Sequence, residues 1–158
     1  MIRPTLQLSA IVIATVLASC SSTQEAVSEA AATAVTAESA SLTISLTGIE
    51  TPTGTIRLGL FAGQEDYEGG PGLTGALVPV EGDTASVTLE GLAPGAYGIK
   101  LFHDVNDNGE MDTNPFGMPT EPYAFSNNAP ARFGPAKWAA ASFTVTAGEN
   151  TQTIKIGG

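Results

Sequence analysis

The chain has 158 residues, with sixteen acidic and six basic side chains and a formal net charge of −10 at pH 7. This length allows one folded domain, and the acidic balance disfavours nucleic acids and anionic membrane surfaces as partners. Cys20 is the sole cysteine of the sequence, so no intrachain disulfide can form and the domain depends on its own core.

The first nineteen residues have the pattern of an export signal. Arg3 supplies a positive charge, and residues 6–17 form an apolar run that is too short to span a membrane. The ending Leu-Ala-Ser-Cys at residues 17–20 resembles the bacterial lipobox, which implies that Cys20 is acylated and anchors the protein in the bacterial envelope. Ser21 resembles the residue that sorts lipoproteins to the outer membrane. The alternative is an ordinary cleaved signal with an incidental cysteine.

The segment after Cys20 is predicted to be a tether. Residues 20–40 are rich in Ser, Thr, Ala and Glu and contain no aromatic residue, so they cannot bury enough apolar surface to offset the entropy of ordering. We therefore predict a signal peptide at residues 1–19, a flexible tether at 20–40 and one folded domain at 41–158.

Short segments of alternating apolar and polar residues, separated by turns, run through the predicted domain. This pattern predicts an all-β, antiparallel Greek-key β-sandwich of about seven strands with one long loop. The strand–turn–strand sequence at residues 89–97 resembles transthyretin-like sandwiches, a class close to the immunoglobulin-like ones. Residues 62–72 are predicted to be a loop. The predicted strands are residues 41–49, 55–61, 73–80, 84–90, 96–103, 137–146 and 151–156.

A long predicted loop begins at Asp104 and carries a pattern of oxygen ligands. Asp104, Asn106 and Asn108 alternate and Gly109 follows, as in the first half of an EF-hand calcium loop. Pro115 replaces the final glutamate of that motif, so this is a shorter, related pattern. We expect calcium to bind weakly, with a dissociation constant on the order of 10⁻⁴–10⁻³ M. The predicted ligands are Asp104, Asn106, Asn108, Glu110 through its carbonyl, Asp112 and Glu121.

The same residue types also fit a loop without an ion. Asn, Asp and Gly are typical of tight turns in which the side chains bond to neighbouring backbone groups. The sequence leaves this alternative open.

Other polar residues of this region lack the partners that a catalytic site requires. His103 is on the inward phase of its strand, and as the sole histidine it lacks partners for a transition-metal site. Ser126 has no base other than His103, so we assign no catalytic residue. Trp138 and the aromatic residues of the loop are predicted to pack against the domain, and the alternative is that they line a carbohydrate- or peptide-binding groove.

The block from Phe102 to Asn128 has a distinctive pattern, FHDxNxNGxxDxN followed by GxPxExYxFSNN. It resembles the signature of an uncharacterised exported bacterial family, classed as a domain of unknown function. The resemblance implies export and the same fold over residues 42–156, and it implies no chemistry. We therefore expect a lipid-anchored, non-enzymatic binding or structural module with an unknown protein or glycan ligand. The alternative is a small periplasmic enzyme or carbohydrate-binding module that uses the loop of residues 103–128.

Overall fold

A computed structural model describes residues 39–157 and confirms the all-β sandwich. The predicted signal peptide, Cys20 and most of the tether lie outside the described residues. Two sheets of three and five strands face each other. The strands are β1 (Ala40–Thr47), β2 (Thr55–Ala62), β3 (Thr74–Pro79), β4 (Thr84–Leu92), β5 (Gly95–Asp104), β6 (Tyr123–Phe125), β7 (Phe143–Val145) and β8 (Gly148–Lys155).

The smaller sheet has the strand order β4-β1-β8. Its central strand β1 alternates buried and half-buried residues along its whole length, as one-sided burial requires. The β1–β4 pair is antiparallel, but β1 and β8 run parallel, which corrects the expectation of a purely antiparallel sandwich. Residue alternation encodes which face of a strand is buried and carries no information about the direction of its neighbour.

The larger sheet has the strand order β3-β2-β5-β6, and β7 also pairs with β5. Strand β6 pairs with residues 100–102 of β5, whereas β7 pairs with residues 95–97 on the same edge. The edge strand β3 ends in the exposed Pro79, which is tolerated there because an edge residue needs no ladder hydrogen bond.

The core lies between the sheets and consists of aliphatic side chains from both inner faces. Leu42, Ile44 and Leu46 of β1 meet residues such as Ile56 and Ile99 of the larger sheet, and all five are fully buried. A second cluster, around Tyr67 and Trp138, packs on the other side of the larger sheet.

Three elements differ from the sequence-based expectation. The predicted loop 62–72 contains helix α1 (Gly63–Gly69), which buries Tyr67 and whose Asp66 carboxylate accepts hydrogen bonds from the backbone N–H groups of Ala62 and Gly72. The predicted strand 137–146 is instead helix α2 (Trp138–Ala141) followed by β7, because the alanine run favours a helical turn. Strand β6 lies within the predicted long loop. Neither helix in the described part of the chain is long and apolar enough to cross a membrane.

Candidate functional site

Asp104 fixes the beginning of the long loop. Its side chain is fully buried, and its Oδ2 atom lies 2.6 Å from Nε of Arg57 on the neighbouring strand. The backbone N–H groups of Asn108 and Gly109 also donate to this carboxylate, at 3.0 and 2.8 Å. Burial opposes ionisation of Asp104, but the hydrogen bonds from Arg57, Gly109 and Asn108 outweigh it and hold the pKa below its ordinary value.

The alternating amides that follow bond to the loop itself. The Oδ1 atoms of Asn106 and Asn108 accept backbone N–H groups two residues ahead, the Asx-turn arrangement. The side-chain N–H groups of the same two residues donate to the two oxygens of Asp112, at 2.7 and 3.0 Å. Asp107 and Gly109 have positive φ angles of 55° and 89°, which make the tight turn that this network requires.

Glu121 closes the loop from its far end. Its two carboxylate oxygens accept the backbone N–H groups of Val105 and Asp112, at 2.9 and 3.1 Å. The loop thus folds back so that Glu121 joins its two halves. Glu110, in contrast, has an exposed side chain and contributes a backbone N–H group that donates to Asn108.

The hydrogen bonds of the loop already involve most of the predicted calcium ligands. Asp104 and Glu121 already accept hydrogen bonds at both carboxylate oxygens, and Asn106 and Asn108 direct N–H groups rather than oxygens at Asp112. Within residues 39–157, no three His, Cys, Asp or Glu residues cluster in a way that could hold a metal ion. These contacts favour the self-bonded turn, and calcium binding stays a prediction.

His103 and Ser126 are both buried, and both have structural hydrogen bonds. Nε2 of His103 lies 2.6 Å from the carbonyl oxygen of Thr53. Ser126 accepts the N–H of Ile99 and donates to the carbonyl of Ala141, so it occupies the gap on β5 between β6 and β7.

The two asparagines after Ser126 join the sheets. Asn127 and Asn128 have left-handed φ angles of 58° and 50°, a region that asparagine tolerates better than most residues. Asn127 donates to the carbonyl of Ser142, and Asn128 accepts the N–H of Lys155 on β8 at 2.7 Å. The SNN sequence is therefore a connector between the larger sheet and the smaller one.

The outer face of the larger sheet carries a feature that sequence analysis missed. Strand register places Leu77, Arg57, Phe102 and Tyr123 side by side in one row across four strands. The next row contains Gly75, Gly59, Lys100 and Phe125 in the same strand order. The two adjacent glycines have no side chains, so this part of the face is a trough, in which the ring of Phe61 covers Gly59.

Two loops border the trough and form, together with it, a cleft of about 1400 Å³, which we call the sheet-face cleft. One wall comes from the long loop, at Met111 and residues 117–119, and the other from residues 131–135. Met118 and Phe133 are exposed at its rim, and Phe116, 90% exposed, lies in the same long loop. Along β2 a Gly and a Phe share the outward phase, and this pattern was the sign of the cleft that the sequence offered. The paired glycine on β3 was not predictable, because it depends on strand register.

The charges at the sheet-face cleft are basic although the chain is acidic. Arg57, Lys100 and Arg132 line it, and none of the lining residues in the described part of the chain is acidic. Nζ of Lys100 lies 4.7 and 4.4 Å from the ring centres of Phe61 and Tyr67 and donates to the Tyr67 carbonyl. Burial lowers the pKa of Lys100, and the attraction of Asp66 and Glu68 partly offsets this effect.

Comparison with known proteins identifies the family. A model of the family described as "Uncharacterized protein conserved in bacteria (DUF2141)" matches residues 44–154. The chain belongs to the DUF2141 family. This match confirms the predicted membership of an uncharacterised bacterial family, and it covers all of the block at residues 102–128.

The DUF2141 match begins after the predicted signal peptide and tether, so lipid anchoring stays a prediction. No curated protein and no solved structure was found to match this DUF2141 chain.

Proposed function

We propose that this DUF2141 protein is a non-enzymatic binding module, anchored in the bacterial envelope by lipid on Cys20, and that the sheet-face cleft is its binding site. The observation that carries the proposal is an apolar cleft of about 1400 Å³ on a sheet face, bordered by exposed aromatic and methionine side chains. Pockets that bind small molecules are commonly apolar and measure roughly 300–1,000 Å³, so this cleft is large enough.

The construction of the cleft supports binding over catalysis. The runner-up function, an enzyme or carbohydrate-binding module, would use His103, Asp104 and Glu121 as its polar groups. These three residues are buried, bond to the protein and are not among the residues that line the cleft. Their network instead holds the loop that forms one wall, which gives the distinctive sequence block a role in shaping the site.

The proposed location follows from the lipobox-like sequence. Acyl chains on Cys20 would hold the module at a membrane, which we propose is the outer membrane, with the domain on its periplasmic or surface side.

Calcium remains a separate, weaker proposal. Asp112 and the amides of Asn106 and Asn108 form the part of the loop that could turn oxygens toward a cation, because rotation of each amide exchanges N–H for oxygen. Bound there, calcium would stabilise the loop, and the proposed binding function does not depend on it.

Binding of a neutral apolar dye tests the proposal. The full chain carrying Cys20→Ser should bind Nile red with enhanced fluorescence, and Leu77→Glu, on the cleft lining, should reduce the affinity. Leu73→Glu is the matched control, since Leu73 is also an exposed leucine near β3 but does not line the cleft. The proposal is wrong if the native protein binds no dye, or if both substitutions weaken binding equally.

A further inference from the structure

We infer that the sheet-face cleft binds a single amphiphilic molecule with an anionic head group and an unbranched apolar chain, such as a fatty acid. The inference rests on the proposed binding function and adds the chemical class of the ligand. It follows from how apolar surface and charge are distributed around the cleft.

The trough would accept the apolar chain of such a ligand. Gly59 and Gly75 pair directly across β2 and β3. The ring of Phe61 lies 3.1 Å from the position of a Cβ atom on Gly59 and so covers that glycine, and the floor consists of this ring and the backbone at Gly75. Leu77 and Phe102 border it in the neighbouring row. A Cβ atom at Gly75 would lie only 3.1 Å from the carbonyl oxygen of Leu58, a tight contact that glycine avoids.

The charges at the cleft would select the head group. Three of the six basic residues of the chain line the cleft, although the sequence has sixteen acidic residues. Arg57 is paired with Asp104, the one ion pair within 4 Å among residues 39–157. The ammonium group of Lys100 lies over the rings of Phe61 and Tyr67 and donates to the Tyr67 carbonyl. The exposed Arg132 is therefore the cleft cation that is left for a ligand. One exposed cation beside an apolar trough that no acidic residue of the described chain lines complements an amphiphilic anion.

The backbone at the rim supports a role for this surface in binding. Phe133 is fully exposed and has a φ angle of 55°, an uncommon conformation for a bulky side chain. Strain of this kind is unfavourable, and it tends to occur at ligand-binding segments. Contact between the Phe133 ring and the apolar chain of a ligand would offset this cost.

A charge series with one constant chain tests the inference. We would measure binding of decanoate, decanol and decyltrimethylammonium to the full Cys20→Ser chain by calorimetry, below the micellar range. Decanoate should bind roughly twofold to fivefold more tightly than decanol, the effect of one exposed ion pair, and the cation should bind most weakly.

Matched variants then locate the site. Arg132→Gln should abolish the preference for decanoate and leave decanol binding unchanged, whereas Lys137→Gln, at an exposed lysine outside the cleft, should change neither affinity. Leu77→Glu should weaken decanoate binding by roughly fivefold, and Leu73→Glu should not.

The possible results separate this inference from the proposed function. Equal binding of decanoate and decanol, both weakened by Leu77→Glu, would leave a binding cleft and overturn the anionic ligand. Sedimentation with phosphatidylglycerol vesicles without binding of monomeric decanoate would make the face a membrane-docking surface and also overturn the inference. Failure to bind any decyl compound or Nile red would overturn both proposals.

Discussion

Glu121 provides the sharpest test of how the long loop is held. Its carboxylate accepts two backbone N–H groups, from Val105 at the beginning of the loop and from Asp112 further along it. Hydrogen bonds to a charged group contribute roughly 1.5–3 kcal/mol each. Val105 and Asp112 are half-buried, so water can partly replace the lost acceptor. We therefore expect Glu121→Ala to lower the free energy of unfolding by about 2–4 kcal/mol, somewhat less than the sum of two such bonds.

Urea unfolding measures this loss directly, and hydrogen exchange locates it. In Glu121→Ala the N–H groups of Val105 and Asp112 should exchange faster, and Nile red should bind less tightly because Met111 and Met118 line one wall of the cleft. Glu110→Ala is the control, since that side chain is exposed, and it should change stability by less than about 0.5 kcal/mol. A Glu121→Ala protein as stable as the control would refute the proposed role of Glu121.

Four further predictions concern the core, the buried carboxylate, the ion and the anchor. Ile99→Ala should cost about 2–5 kcal/mol in urea unfolding because Ile99 is fully buried, and Thr43→Ala, on the outward phase, should cost far less; equal costs would contradict the strand phase. The folded-state pKa of Asp104 lies below its unfolded value of about 3.9, so its stabilising effect is present above about pH 4 and is lost as the pH falls through the lower, folded-state pKa. Asp104→Asn should therefore flatten the acid limb of stability against pH, and an unchanged limb would argue against this role. At a dissociation constant of about 10⁻³ M, about 10 mM calcium should raise the free energy of unfolding by roughly 1.4 kcal/mol and raise Tm, and magnesium should have a smaller effect. The calcium proposal is wrong if Tm does not change with calcium, or if the double variant Asp104→Ala, Asp112→Ala shows the same calcium effect as the native protein. Cys20→Ser should release the protein from membranes, and persistent membrane fractionation, with no fatty acid incorporated by the native chain, would reject the lipid anchor.

The strands were predictable because burial on one face of a sheet imposes a two-residue period on the sequence. Ile56, Leu58 and Leu60 alternate with outward residues on β2, and all three are buried as expected. Helix α1 has only seven residues, too few to display helical periodicity, and it depends on tertiary burial of Tyr67. Strand β6 has three residues and is defined by its pairing with β5.

The chemistry of the long loop was predictable only in part. The alternation of Asp104, Asn106 and Asn108 predicted oxygens gathered along a tight turn, and in the structure these oxygens accept backbone N–H groups of the turn, while calcium binding by them stays a prediction. The partner of Asp104 was not predictable, because Arg57 precedes it by 47 residues and is brought close by the β2–β5 pairing. Local sequence encodes Asx turns, whereas the basic side chain that pairs with a buried carboxylate depends on which strands the fold brings together.

The sheet-face cleft was decided entirely by tertiary structure. Gly59 and Gly75 become neighbours only because β2 and β3 pair in one particular register, and a shift of one residue would turn a glycine inward and a core side chain outward. Arg132 and Met118 reach the same cleft through loops whose paths depend on the packing beneath them. The sequence by itself determined which residues face the core, since that depends on local periodicity. Only the assembled sheet could determine which outward residues stand together, since that depends on register.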